Sequence, residues 1–69
     1  MLTEKIGETV KSRRQFLNLR QEDLAEMSGI ATKTIHLIES GSGNPSVQTL
    51  EKLVTVLGME LILQIKKMS

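Results

Sequence analysis

The sequence predicts a mainly helical domain: four short helices followed by a C-terminal strand. Three observations carry that prediction. Apolar residues recur at helical spacing through four consecutive segments. Glycine stands just past two of those segments, at Gly29 and Gly58, where a helix end favours a left-handed residue. Beyond Gly58 the pattern changes, and Leu61, Leu63 and Ile65 alternate with Ile62, Gln64 and Lys66, the period of a half-buried strand. With 69 residues the chain has room for one domain, spanning 1–69, and a core close to the minimum that folds alone.

The first helix is expected from Thr3 to about Leu17, with Ile6, Val10 and Leu17 on its inner stripe, Thr3 as N-cap and Glu4 in the first turn. Phe16 lies off that stripe and is expected half-buried. Asn18, Leu19 and Arg20 form the connection. Gln21 to Ser28 makes the second helix, turning Leu24 and Ala25 inward and Glu22, Asp23 and Glu26 to water. Thr32 to Ser40 makes the third, with Ile35 and Ile38 inward and Thr32, Lys33, His36 and Leu37 outward. The run Ser40-Gly41-Ser42-Gly43-Asn44-Pro45 is a loop on turn chemistry alone. Ser46 then caps a fourth helix whose stripe is Val47, Leu50, Leu53, Val54 and Leu57, ended by Gly58. A helix could also be drawn through Leu57, Leu61, Ile65 and Met68, but Gly58 interrupts it, so the strand over about 60–66 is the preferred reading.

Composition removes several function classes. The absence of cysteine excludes disulfides, thiolate metal sites and thiol catalysis, and it suits a reducing cytoplasm. No apolar run approaches the roughly 18 residues of a membrane span, and the N-terminal stretch lacks the apolar core of a signal peptide, so a cytoplasmic protein with no membrane partner is expected. Phe16 is the single aromatic residue, too little for a base-stacking platform on single strands. The net charge is +1, so any nucleic-acid role depends on where the charges lie. His36 is the one histidine and has no companion ligands, which argues against a metal site. Gly41-Ser42-Gly43 has no following lysine and no preceding strand, unlike a phosphate-cradling loop. Carboxylates on helix surfaces and no activated nucleophile point away from an enzyme, and no cofactor is implied.

A helix, a turn at glycine and a second helix with an exposed polar face fit a helix-turn-helix over 21–40. In that motif the second helix lies in the major groove of DNA, which is about 12 Å wide, and the first crosses the backbone. Gln21, Leu24-Ala25, Gly29, Ile35, Ile38-Glu39, Gly41 and Asn44-Pro45-Ser46, at this spacing, make residues 10–58 resemble the lambda-repressor-like helix-turn-helix domains, the Cro/repressor or xenobiotic-response-element family. The resemblance implies a sequence-specific regulator of transcription, commonly a repressor, binding double-stranded DNA at a palindromic operator as a dimer. It also implies roles for matching positions. Gln21 would hold a phosphate, with Arg20, Ser40 and Asn44 placed for further backbone contacts. Thr32, Lys33, His36 and Leu37 would face base edges. Arg14 and Glu39 match a pair that bridges the first and third helices in several relatives.

The sequence departs from the family pattern at three places. Ala31 stands where relatives often carry a capping serine or threonine, a loss of about 1 kcal/mol. Leu37 replaces a hydrogen-bonding side chain; it either extends the core stripe or touches a thymine methyl group. A fifth helix is lacking, and the tail takes its place. A strand needs backbone partners and no other segment reads as one, so Leu61, Ile62, Leu63 and Ile65 are expected to pair with a second copy across a two-fold axis. Such a tail is similar to that of antitoxins paired with HipA-type kinase toxins, which implies an autoregulating antitoxin with a toxin partner. The alternative from another class is a protein-interaction module with little DNA binding.

Overall fold

The computed structural model describes residues 2–67, and among these the chain forms α1 (Leu2–Phe16), α2 (Gln21–Ser28), α3 (Thr32–Glu39) and α4 (Val47–Val56). The last three are ten residues or fewer, lengths at which a helix does not persist alone in water. Their stability therefore comes from shared burial and from well-made ends.

Burial is supplied by all four helices. Val10 of α1, Leu24 of α2, Ile35 and Ile38 of α3, and Leu50, Leu53 and Leu57 from α4 and its C-cap form one contiguous core. Ile6, Leu19, Ala25, Ile30, Val56 and Met59 pack at its edge. Each fully buried aliphatic side chain contributes about 1.5–3 kcal/mol relative to exposure. α3 packs against both α1 and α2, and α4 closes the core from the α2 side.

Three helix ends close by the same device. The residue two past the C-cap of α1, α3 or α4 donates its N–H to the third-last helical carbonyl: Leu19 to Arg14 at 3.0 Å, Ser42 to Leu37 at 2.9 Å, Met59 to Val54 at 2.8 Å. The preceding residue must be left-handed, and the chain places Asn18, Gly41 and Gly58 there, with φ of 58°, 79° and 72°. At the other ends, Ser46 Oγ accepts from the Thr49 N–H at 3.0 Å, capping α4. The Asp23 carboxylate accepts the Arg20 N–H at 2.8 Å and the Arg20 guanidinium at 3.1 and 3.2 Å. Arginine offers no acceptor in return, so α2 is capped from one side only.

Four expectations change. α1 already begins at Leu2, so Thr3 lies inside its first turn instead of capping it. Leu17 lies past the helix and is 37% exposed rather than buried; Gly7 and Arg14 hold the buried stripe with Val10. Phe16 is 73% exposed rather than half-buried, its ring 5.2 Å from the Arg13 guanidinium carbon. Val47 opens α4 on the solvent side, 68% exposed, because a first-turn residue sits above the core's edge.

The strand expected over about 60–66 is not seen: residues 59–67 have no regular secondary structure. A strand is defined by its ladder, and no second extended segment exists among the described residues to supply one. Leu61, Ile62, Leu63 and Ile65 are consequently exposed, the last two almost completely. Met68, on the competing helical pattern, lies outside the described residues. No helix among the described residues is long and apolar enough to cross a membrane.

Candidate nucleic-acid interface

Gly29, Ile30 and Ala31 are the whole connection between α2 and α3. Gly29 is left-handed (φ 76°) and returns its N–H to Ala25 at 2.9 Å, which stops α2 and lets the chain turn at once. Ile30 tucks against the core and accepts its own anchoring from Ser28, whose Oγ takes the Ile30 N–H at 3.2 Å. α3 then starts without a side-chain cap at Ala31, leaving its first amide N–H groups without an intrahelical or side-chain acceptor.

α3 has one locked face and one open face. Ile35 and Ile38 are buried, while Thr32, Lys33, His36 and Leu37 are exposed. Its last turn is fixed by a buried ion pair. Arg14 Nε and Nη2 donate to Glu39 Oε2 and Oε1 at 2.7 and 2.8 Å, and Arg14 Nη1 donates to the Leu19 carbonyl at 2.8 Å. One guanidinium thus joins α1, the α1–α2 connection and α3. Gln21 Nε2 adds a third donor to the same carboxylate, reaching Glu39 Oε1 at 3.1 Å. Burial alone would push the Glu39 carboxyl up, but the Arg14 and Gln21 hydrogen bonds and the Arg14 charge outweigh it and hold the group below its ordinary value. The hydrogen bond to Glu39 in turn raises the Arg14 guanidinium against its own desolvation. Among the described residues no buried side-chain nitrogen or oxygen lacks a partner.

Gly7 fixes the same turn sterically. A Cβ there would run into the Ile38 carbonyl oxygen and come within 3.0 Å of the Glu39 carbonyl oxygen. α1 therefore rests with bare backbone on the end of α3. Sequence reasoning did not single out Gly7. The available signal was a glycine inside an amphipathic helix, where it costs about 0.5–1 kcal/mol relative to alanine, three residues before Val10 on the inner stripe.

The open face of α3 is flanked on both sides. On one side α1, α2 and α3 together enclose a cleft of about 270 Å³ lined by Lys11, Arg14, Gln21, His36, Glu39 and Ser40. On the other, Leu37 borders a hollow of about 140 Å³ with Thr34, Ser42, Gly43, Asn44 and Pro45. Leu37 is 40% exposed, neither a core residue nor a free one. Asn44 is exposed in that loop, and the Ser40 hydroxyl donates to the Leu37 carbonyl at 2.9 Å. Arg20 is engaged by Asp23, which its guanidinium holds below the usual carboxylate range, yet its side chain remains 74% exposed. Of the residues expected to face bases and backbone, Gln21, His36 and Ser40 line the cleft, and Leu37 and Asn44 border the hollow. Thr32 and Lys33 are exposed on the first turn of α3, and the Arg20 guanidinium is paired with Asp23. Leu61, Ile62, Leu63 and Ile65 belong to the tail.

Among the described residues no three His, Cys, Asp or Glu side chains cluster as a metal site. Residues 10–63 match the helix-turn-helix family model. The chain is similar to an uncharacterized HTH-type transcriptional regulator of Haemophilus influenzae, 41% identical over 56 residues that cover 81% of this chain and 56% of that protein. It is similar to another of Methanothermobacter thermautotrophicus, 36% identical over 53 residues that cover 77% of each. It is also similar to a Methanococcus vannielii protein provisionally named an HTH-type transcriptional regulatory protein, 36% identical over 56 residues, 81% of this chain and 17% of that one. The chain therefore spans less than two thirds of the Haemophilus and Methanococcus proteins. Short turn, locked inner face and family match agree: the chain belongs to the Cro/C1-type helix-turn-helix family.

Proposed function

We propose that the protein is a sequence-specific regulator of transcription, a repressor, that binds a palindromic double-stranded operator as a homodimer. The observation that carries this reading is the division of α3: a buried face held by Ile35, Ile38 and Glu39, and an open face of Thr32, Lys33, His36 and Leu37. A helix held so from behind fits the major groove, about 12 Å wide, with its side chains at base edges. The HTH-type regulators to which the chain is similar support the same reading.

Within it, Lys33 favours the O6 and N7 acceptors of guanine. Gln21 spends one N–H on Glu39; its amide keeps a second N–H for a phosphate. Lys33→Ala is expected to cost about 1–3 kcal/mol at one base position and to relax preference there. Gln21→Ala is expected to weaken all sequences by a similar factor. Binding-site selection from randomised duplex separates the two. A uniform loss for Lys33→Ala would make it a backbone contact, and a base-selective loss for Gln21→Ala would remove its assignment.

The tail supplies the dimer in this proposal. Leu61, Ile62, Leu63 and Ile65 expose apolar side chains that a second copy, pairing antiparallel, would cover. Two recognition helices would then meet successive major grooves, about 34 Å apart. A chain ended at Gly58 is expected to sediment as a monomer with weak operator binding; a truncated chain that stays dimeric with full affinity would place the interface elsewhere. The same exposed tail favours a second reading, a module that binds another protein, such as the toxin partner of an antitoxin. Salt-independent or absent duplex binding would favour that reading.

A further inference from the structure

We propose that the cleft beside α3 seats one backbone phosphate of the bound duplex, and that Lys11 and His36 bind that phosphate instead of any base. The inference rests on the regulator reading and, within it, moves His36 from the base-facing set to the backbone and adds Lys11 there.

The cleft is walled by three helices: Lys11 and Arg14 from α1, Gln21 from α2, and His36 and Glu39 from α3, with Ser40 at its rim. The carboxylate in it is nearly filled, with three of about four acceptor sites in use. Glu39 accepts two bonds from Arg14 and one from Gln21, and its side chain is only 3% exposed. Arg14 and Glu39 cancel in charge, so the Lys11 ammonium leaves the cleft net positive. The Ser40 proton is committed to the Leu37 carbonyl. Lys11, His36 and the second N–H of Gln21 remain as donors. The Lys11 charge already acts on Glu39, but that carboxylate is nearly buried and mostly engaged, so it competes weakly with an entering phosphate. A concave, donor-rich, net-positive recess suits a projecting phosphate.

A base edge fits it poorly. Base edges lie flat on the groove floor and are met by side chains that project from one convex helix face. Thr32 and Lys33 project so from the first turn of α3. His36 sits one turn later, on the flank shared with α1 and α2. That flank is where α2 approaches the phosphate chain when α3 lies in the groove. His36 therefore shares a ligand with Lys11, which belongs to another helix.

The test uses the full chain with Lys11→Ala and His36→Ala, both at exposed positions, and an operator selected from randomised duplex. Both variants are expected to select the parent operator and to weaken binding to operator and random duplex by the same factor. Lys11→Ala should lower the magnitude of the log-affinity against log-salt slope by about 0.9. A scan of methylphosphonate linkages, each neutralising one phosphate, should find a single linkage at which both alanine effects vanish. An altered preference at one base position for His36→Ala would overturn the inference and leave the regulator reading intact, as would an unchanged salt slope for Lys11→Ala or two different silent linkages. A parent chain that binds no duplex would remove the regulator reading itself.

Discussion

Glu39→Ala is expected to destabilise the domain by about 3–5 kcal/mol, because it strands a buried arginine without its counter-ion. The Arg14 side chain is 10% exposed and gives two of its three hydrogen bonds to that carboxylate. A domain this small draws only about 3–5 kcal/mol from its core, so the variant should be largely unfolded by circular dichroism at 25 °C. Glu39→Gln keeps the shape and one acceptor and should fold with a lowered melting temperature. Its difference from the parent should depend on pH in one direction. Glu39 is held below its ordinary value of 4.5 in the folded protein. The stability it contributes is fully present above that unfolded value and is lost as pH falls through the folded value. Parent and Glu39→Gln should therefore differ by a constant amount above about pH 5 and converge below it. A melting temperature for Glu39→Ala equal to the parent's would show the pair to be dispensable.

Gly7→Val is expected to destabilise the domain strongly, and Gly7→Ala to destabilise despite removing a glycine from a helix. In an ordinary helix interior Gly→Ala gains about 0.5–1 kcal/mol. Here the added Cβ meets the Ile38 carbonyl oxygen, which belongs to the backbone of α3 and cannot swing aside as a side chain would. α1 must lift off the end of α3, an overpacking cost of about 1–3 kcal/mol that also loosens the Arg14–Glu39 contact beside it. Urea denaturation should show a lower midpoint for Gly7→Ala and a still lower one for Gly7→Val. A raised midpoint for Gly7→Ala would mean that the two helices do not touch there.

The parts of this fold that were legible in the sequence obey local rules. Helical periodicity placed Leu24, Ile35, Ile38, Leu50 and Leu53, all buried, and turn chemistry placed Gly29, Ser46 and Gly58. The inner stripe of α1 is legible only in part: Val10 is buried and Ile6 packs at the core's edge, whereas Gly7 and Arg14 are buried by close approach and by pairing, which depend on α3. Phe16 and Val47 are apolar yet exposed, since hydrophobicity does not say which helix phase finds a neighbour. Arg14 and Glu39 lie 25 residues apart, beyond any local pattern, and the family resemblance was what joined them. A strand in the tail is a property of two segments, and one sequence displays only one. The outward set on α3 followed from periodicity, but its division between a three-helix cleft and a loop-side hollow depends on α1 and on residues 42–45.

That α3 presents a DNA-reading face is tested most directly by titrating salt against binding to a selected operator and to random duplex. The expected result is a log-linear loss of affinity on both, with a slope of about 0.9 per phosphate contacted, and tighter binding to the operator at every salt concentration. Flat binding, or equal affinity for operator and random duplex, would contradict the account.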